Sequence, residues 1–363
     1  MKRLSCLCSL LLYLFFICSS GAAEIEGRVV SESGGSSAGL PNVRIRVFRS
    51  GALLSFATTD EEGRFSMPLR IAQNCRLYAK LPESAFFAQD GPLTPTQEDG
   101  WEGWSEPFTL EEGQVLRFPD IRTVPAASVS GRAWEDRNAD GLPGPDEAPI
   151  EGAYVILLDM QGDPKAVDSL RIYQSGAYSF PRLREGRYAL AFRLPDGYLF
   201  TKALRTAGGS SATAPKEGQM AVTPAFSLGE GDHRTEMNIG GYLPARIGDT
   251  VWIDLNGNGL QDYREPPASG VQLNLLGGSD EEISATVSDE YGYYSFGGLP
   301  PGDYTVRISP PSSFTLTARK STAPGEIDSD ADPRTRRTPC ITLVPGEFRR
   351  NVDFGLIPAT ADR

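Results

Sequence analysis

Three successive stretches of this chain repeat one order of features, and that repeat limits the folds open to it. Tyr291-Gly-Tyr-Tyr-Ser-Phe296 is followed by Leu299-Pro-Pro-Gly302-Asp-Tyr304. Ser175-Gly-Ala-Tyr-Ser-Phe180 is followed, at the same spacing, by Leu183-Arg-Glu-Gly186-Arg-Tyr188. A weaker copy, Thr59-Asp-Glu-Glu-Gly63-Arg-Phe65-Ser-Met67, lies upstream. Each stretch then carries Leu-x-x-Gly (Leu110 to Gly113, Leu228 to Gly231, Leu343 to Gly346) and ends on a proline, Pro125, Pro244 or Pro358. Apolar and alternating runs of strand length are punctuated by Gly, Pro, Asp and Asn, and the chain after its first residues shows no long helical period. The expected architecture is all-β: three tandem antiparallel β-sandwiches of roughly 100–120 residues, Ig-like or prealbumin-like, over residues 24–124, 125–244 and 245–358. Tyr178, Phe180, Tyr294 and Phe296, at alternate strand positions, are expected to face inward between sheets.

The first residues read as a secretory leader. Lys2 and Arg3 precede an apolar stretch from Leu4 to Cys18, and Ser20-Gly-Ala-Ala23 offers small residues for cleavage, giving a leader of residues 1–23. Cys18 follows bulky Phe16 and Ile17, a poor context for lipidation. The remaining chain carries no span long enough to cross a bilayer, and residues 359–363 are a short tail without a wall-sorting signal. Losing Lys2 and Arg3 takes the net charge from −12 to −14. Such an acidic chain is a poor partner for nucleic acid and a good host for divalent cations. Only Cys75 and Cys340 lie outside the leader, in different segments, so no disulfide framework is expected.

Two stretches fit D-x-[DN]-x-[DN]-G-x₅-E at every fixed position. One holds Asp136, Asn138, Asp140, Gly141 and Glu147; the other holds Asp254, Asn256, Asn258, Gly259 and Glu265. Calcium takes about 6–8 oxygens at ~2.3–2.6 Å. Side chains at positions 1, 3 and 5, the carbonyl at 7 (Leu142 or Leu260) and a two-oxygen carboxylate at 12 can wrap one ion. Position 9 is Gly144 in the first stretch, which calls for a water, and Asp262 in the second. The alternative is a pair of Asx-rich turns without an ion. The flanks, Ala127 to Trp134 with Ala153 to Leu158, and Arg246 to Ile253 with Val271 to Leu276, read as strands, so neither loop belongs to a helical EF-hand.

At these residues the chain resembles a known family. Ile247-Gly-Asp-Thr-Val-Trp-Ile-Asp-Leu-Asn-Gly-Asn-Gly, Ser288-Asp-Glu-Tyr-Gly-Tyr-Tyr-Ser-Phe, Gly302-Asp-Tyr-Thr-Val and Val352-Asp-Phe-Gly-Leu look like an SdrD B-type domain, a calcium-binding relative of the Cna B-type repeats of bacterial surface adhesins. Residues 126–243 look like a diverged second copy. Residues 24–124 resemble only the wider group of carboxypeptidase regulatory-like, prealbumin-like sandwiches. The resemblance implies a calcium-stiffened stalk or spacer. It also implies a second acidic cluster at Asp328, Asp330 and Asp332, where alternating carboxylates could face one cation or form a solvated loop. The second segment has Gly208 to Pro215 there and should lack that ion. Some B-type relatives carry a Lys–Asn isopeptide from an early strand. The lysines here, Lys80, Lys165, Lys202, Lys216 and Lys320, fall on no first strand, so none is expected.

Enzymatic chemistry finds little support. His233, the sole histidine, sits in a turn without a nucleophile motif, and the paired carboxylates fall in calcium-loop spacing. Trp101 and Trp104, three residues apart in a Gly-rich stretch, could form a carbohydrate platform or pack on the sandwich edge. The expected protein is thus a secreted or surface-associated, non-enzymatic monomer that binds Ca²⁺ and an extracellular protein or glycan, with no nucleic acid and no membrane span. The alternative is a carbohydrate-binding array or accessory subunit of an extracellular polysaccharide-acting system.

Overall fold

The structure, a computed structural model, describes residues 22–69, 72–96, 100–201, 220–319 and 328–359. The leader up to Gly21, the tail from residue 360, the stretch from Gly208 to Pro215, and Lys202, Lys216 and Lys320 lie outside the described residues. Among those residues all helices and strands are strands, and no helix is long and apolar enough to cross a membrane.

The strands build six sheets, two for each repeat of the sequence. In each repeat one sheet is organised by its first strand: Ala23–Ser33, Ala127–Glu135 or Ala245–Ile253. On one edge that strand pairs with Arg64–Leu69, Ala177–Leu183 or Tyr293–Leu299. These are the strands that carry the repeated aromatic motif, and their alternation is why one face can be apolar. Tyr178, Phe180, Tyr294 and Phe296 are all buried, as their spacing suggested. The hydroxyls of the two tyrosines donate to the carbonyls of Met237 and Val352, which satisfies a phenol that burial would otherwise strand. In the first repeat Phe65 and Met67 fill this place.

Most pairings are antiparallel, but each first strand has two parallel partners: its first half lies beside the next-to-last strand, with Glu24 beside Val115, Ser128 beside His233 and Arg246 beside Phe348. The second half of each first strand runs parallel to the last strand of its own repeat: Val29 beside Ile121, Ala133 beside Ile239, Val251 beside Phe354. A parallel partner requires a long crossover. Here the other sheet of the sandwich supplies it, in the orders Ala52–Thr58, Arg44–Arg49, Ala72–Lys80, Glu102–Ser105; Lys165–Arg171, Tyr154–Asp159, Gly186–Arg193, Met220–Val222; and Glu282–Val287, Gln272–Gly277, Gly302–Ser309, Ile341–Leu343. The Leu-x-x-Gly motif is a tight turn before the final strands. Leu110, Leu228 and Leu343 are buried, and Gly113, Gly231 and Gly346 take φ of 72°, 70° and 71°, a region that favours glycine. A side-chain oxygen four positions after each leucine accepts the N–H just after it, although the residue differs each time: Gln114, Asp232 and Glu347.

By close packing the described residues gather into two compact units. One is the chain up to Ser130 with Ser179–Arg187 and Ser227–Thr235; the other is Gly131–Tyr178, Tyr188–Phe226 and the chain from Glu236 on. Both Asp-rich loops lie in the second unit.

Candidate metal centres

Each Asp-rich loop leaves the end of a first strand and returns to it. Glu135 N donates to Ala148 O at 2.7 Å, and Trp134 bridges Pro149. Ile253 N donates to Pro266 O at 2.8 Å, and Trp252 bridges Pro267. The loops are pinched shut at the base. Their first residues stay in the parallel ladder, with Asp136 N on Gly241 O and Asp254 N on Leu356 O, each at 2.8 Å. That is why two carboxylates are buried, Asp136 at 0% and Asp254 at 1% exposure. In the first repeat the same position is a Gly34-Gly35 turn, both φ positive, leading straight into Ser36–Gly39. No ion loop fits there.

Burial of a carboxylate demands donors. Asp254 Oδ1 accepts from Gly257 N (2.7 Å) and Asn258 N (3.2 Å), and Oδ2 accepts from Gly259 N (2.8 Å) and Thr317 Oγ1 (2.6 Å). Burial acts to raise this pKa, but bonds from Thr317, Gly259, Gly257 and Asn258 outweigh it and hold the group below the usual carboxylate range. Asp136 is arranged alike on one oxygen only. Its Oδ2 accepts from Gly141 N at 2.9 Å and from Thr201 Oγ1, whereas its Oδ1 is buried with no hydrogen-bond partner among the described residues. Thr201 and Thr317 are site residues that the loop pattern misses. The signal that could have found them is the repeat itself, since they stand at the same 116-residue offset as the aromatic motif.

The remaining loop positions are drawn together by short hydrogen bonds. Gly141 and Gly259 take φ of 72° and 80°, the turn expected of position 6. Glu147 spans its loop, Oε1 accepting from Arg137 N (3.1 Å) and Oε2 from Gly144 N (2.7 Å). Glu265 does the same, with Leu255 N at 2.9 Å and Asp262 N at 3.0 Å. Asn138 Nδ2 donates to Asp140, and Asn256 and Asn258 Nδ2 both donate to Asp262 Oδ2 at 2.7 Å. Asp140, Asn138 and Leu142 are exposed, and Leu260 is half-buried. Asp136, Asp140 and Glu147 each offer an oxygen, all within 4.8 Å of one another; among the described residues no other three His, Cys, Asp or Glu side chains gather this way. An all-oxygen set with a two-oxygen carboxylate suits a hard cation such as calcium.

The third cluster is not assembled as its spacing suggested. Asp328 forms a bridge with Leu260, beside the second loop. Asp330 turns to the last strand, its Oδ2 accepting from Asp353 N at 2.8 Å. Asp332 Oδ1 caps a turn, accepting from Arg334 N (2.7 Å) and Thr335 N (3.0 Å). Burial still alternates, Ser329 and Ala331 being buried between the three aspartates, but each aspartate turns to a different partner and the three carboxylates do not gather. A different carboxylate pair results. Asp353, 1% exposed, is pushed up to about 7, first by burial, against two bonds from Thr250 N and Oγ1 and with help from Asp249 and Asp330. Asp330 is pushed up to about 6, again chiefly by burial.

Trp101 and Trp104 have different surroundings. Trp101 packs against the first core with Lys80 Nζ 4.0 Å above its ring, while Trp104 stacks with Tyr78 and Phe48. His233 is exposed, and its Nδ1 lies 2.8 Å from Ser128 Oγ. Cys75 and Cys340 are free thiols, one buried and one exposed. Lys80 and Lys165, the lysines among the described residues after the leader, lie on no first strand.

The SdrD B-like domain family model matches residues 127–240 and 245–356. The chain is 28% identical over 304 residues to serine-aspartate repeat-containing protein F of Staphylococcus epidermidis, covering 81% of this chain and 18% of that protein. It is 35% identical over 231 residues to serine-aspartate repeat-containing protein C of Staphylococcus aureus, covering 63% of this chain and 23% of that protein. It thus spans less than a quarter of the length of these relatives. Among solved structures it is similar to BcpA, the major pilin subunit of Bacillus cereus, at 12% identity and a TM-score of 0.34, over 93% of this chain and 99% of that one. The two matched stretches are the second and third sandwiches, each with its pinched loop, and through them this chain belongs to the SdrD B-like domain family.

Proposed function

We propose that this protein is a secreted, cell-surface-associated, non-enzymatic modular protein of adhesion type, in which calcium held by two loops stiffens the second and third sandwiches. The observation that carries the reading is Asp136 Oδ1, a buried carboxylate oxygen with no donor among the described residues, beside oxygens of Asp140 and Glu147. A buried acceptor left unpaired costs about 1–3 kcal/mol, more when charged, and a cation removes that cost. In the second sandwich the ion would be held by Asp136, Asn138, Asp140, the Leu142 carbonyl and Glu147. In the third it would be held by Asp254, Asn256, Asn258, the Leu260 carbonyl, Asp262 and Glu265. Bound calcium supplies the positive charge these carboxylates share. The protein residues fix which oxygens meet and close the loop beside the parallel ladder.

Calorimetric melts of the full chain with calcium and with chelator test this. The ion binds the folded loop and hardly the unfolded chain, so at about 100 times Kd it adds ~2.7 kcal/mol. A melt unmoved by chelator refutes the reading.

A further inference from the structure

The first sandwich carries an aromatic and basic sheet face that the calcium reading does not use. Alternation places Arg44, Arg46 and Phe48 on the outer side of Arg44–Arg49, whose intervening Ile45 and Val47 are buried. The same alternation turns Arg76, Tyr78 and Lys80 outward from buried Cys75, Leu77 and Ala79. Register then lines up one row across five strands: Phe56, Arg46, Tyr78, Trp104 and Thr94. Strands lie ~4.8 Å apart, so Phe56 and Trp104 stand roughly 14 Å apart along this row.

The face is built rather than incidental. Trp104 lies 4.9 Å from Tyr78 and 5.3 Å from Phe48, centroid to centroid. Arg76 sits 5.6 Å over the Trp104 ring, its Nε fixed by Ser105 O at 2.9 Å. Phe56, 66% exposed, extends this aromatic row to the edge strand Ala52–Thr58. Arg44, Arg46, Arg76 and Lys80 meet a single carboxylate on this side of these strands, Glu102, which pairs with Lys80 at 3.2 Å. In a chain of net charge −12 this is a local reversal of sign.

The geometry points to this face as a docking surface for a carboxylate-bearing polysaccharide. Flat rings suit the apolar faces of sugar rings, and guanidinium groups between them suit carboxylates spaced along a polymer. A nucleic acid, with dense phosphates, meets opposition from the rest of the chain. The inference is independent of the metal centres.

Calorimetric titration of the full chain at low salt, in calcium and again in chelator, tests it with hyaluronan oligosaccharides as probe. Neutral dextran oligosaccharides, oligo(dT) and polyglutamate serve as comparisons. We expect saturable binding of hyaluronan alone, equal in calcium and chelator. Arg46→Glu should abolish it, and Phe56→Ala should weaken it about tenfold, the scale of one good aromatic contact. Phe56 is exposed and Arg46 half-buried on the outer side, and unchanged melts will confirm that the variants fold. No hyaluronan binding, binding that Arg46→Glu leaves intact, binding lost in chelator, or tighter binding of dextran, oligo(dT) or polyglutamate would each overturn the proposal.

Discussion

The hydroxyl of Thr317 donates to Oδ2 of Asp254 at 2.6 Å, across 63 residues of chain. Thr201 makes the same bond to Asp136. Each Asp-rich loop is therefore tied to the residue just after a short strand, Leu199–Phe200 or Phe314–Leu316, outside its own pattern, and the tie reaches the carboxylate that the loop buries most deeply.

Thr317→Val keeps the shape and deletes the donor. Asp254 Oδ2 then keeps only Gly259 N. A lost bond to a buried charged group lowers stability by about 1.5–3 kcal/mol. Calorimetry of the full chain in chelator should show the third sandwich melting earlier. Calcium should restore part of the loss, because it supplies charge to the same carboxylate.

Gly355 separates Thr317 from Trp252. A Cβ there would lie 2.6 Å from Thr317 Cγ2 and 3.0 Å from Trp252 Cζ2. Gly355→Ala should overpack the site by about 1–3 kcal/mol and push Thr317 off Asp254. The check is a double-mutant cycle of melts: Gly355→Ala and Thr317→Val should be clearly non-additive.

Glu265→Gln tests the two-oxygen ligand. Both carboxylate oxygens take backbone N–H groups, so the glutamine amide would face one of those donors. The calcium-free melt should fall by about 1 kcal/mol. The calcium-dependent rise should shrink far more. A variant with the full calcium increment would remove Glu265 from the ligand set.

Asp353 gives a pH signature. Its folded pKa of about 7 lies above the ordinary carboxylate value of ~3.9, so the fold favours the protonated form. The neutral group's contribution is complete below about pH 4 and is lost as pH rises to about 7; Asp330, at about 6, adds to the same slope. Melts in chelator from pH 4 to 8 should show stability falling across this window. Asp353→Asn, whose Oδ1 still accepts from Thr250, should flatten the slope and melt higher than wild type at pH 8.

Periodicity made the sandwiches legible. Tyr178, Phe180, Tyr294 and Phe296 alternate as inward residues do, and glycines at Gly141 and Gly259 mark turns that few other residues can make. Both Asp-rich loops were legible as local patterns because their oxygen-bearing side chains lie within twelve residues. What sequence spacing could not convey was the long-range partnering. Thr201 and Thr317 reach the loops only after the sheets fold. Asp328, Asp330 and Asp332 look equivalent in one dimension, but each takes a different backbone partner in three. Trp101 and Trp104 part company because one packs on the core and the other follows the outward side of a strand.

The parallel pairing of each first strand with its own last strand has a mechanical consequence. Pulling a sandwich by its two chain ends drags these neighbours past each other lengthwise. Every hydrogen bond between Val251–Ile253 and Phe354–Leu356 then resists together, instead of parting one by one like a zip. The Asp254 N–H to Leu356 bond continues that row into the ion loop. A calcium ion gripping the loop would sit at the end of the seam that carries tension.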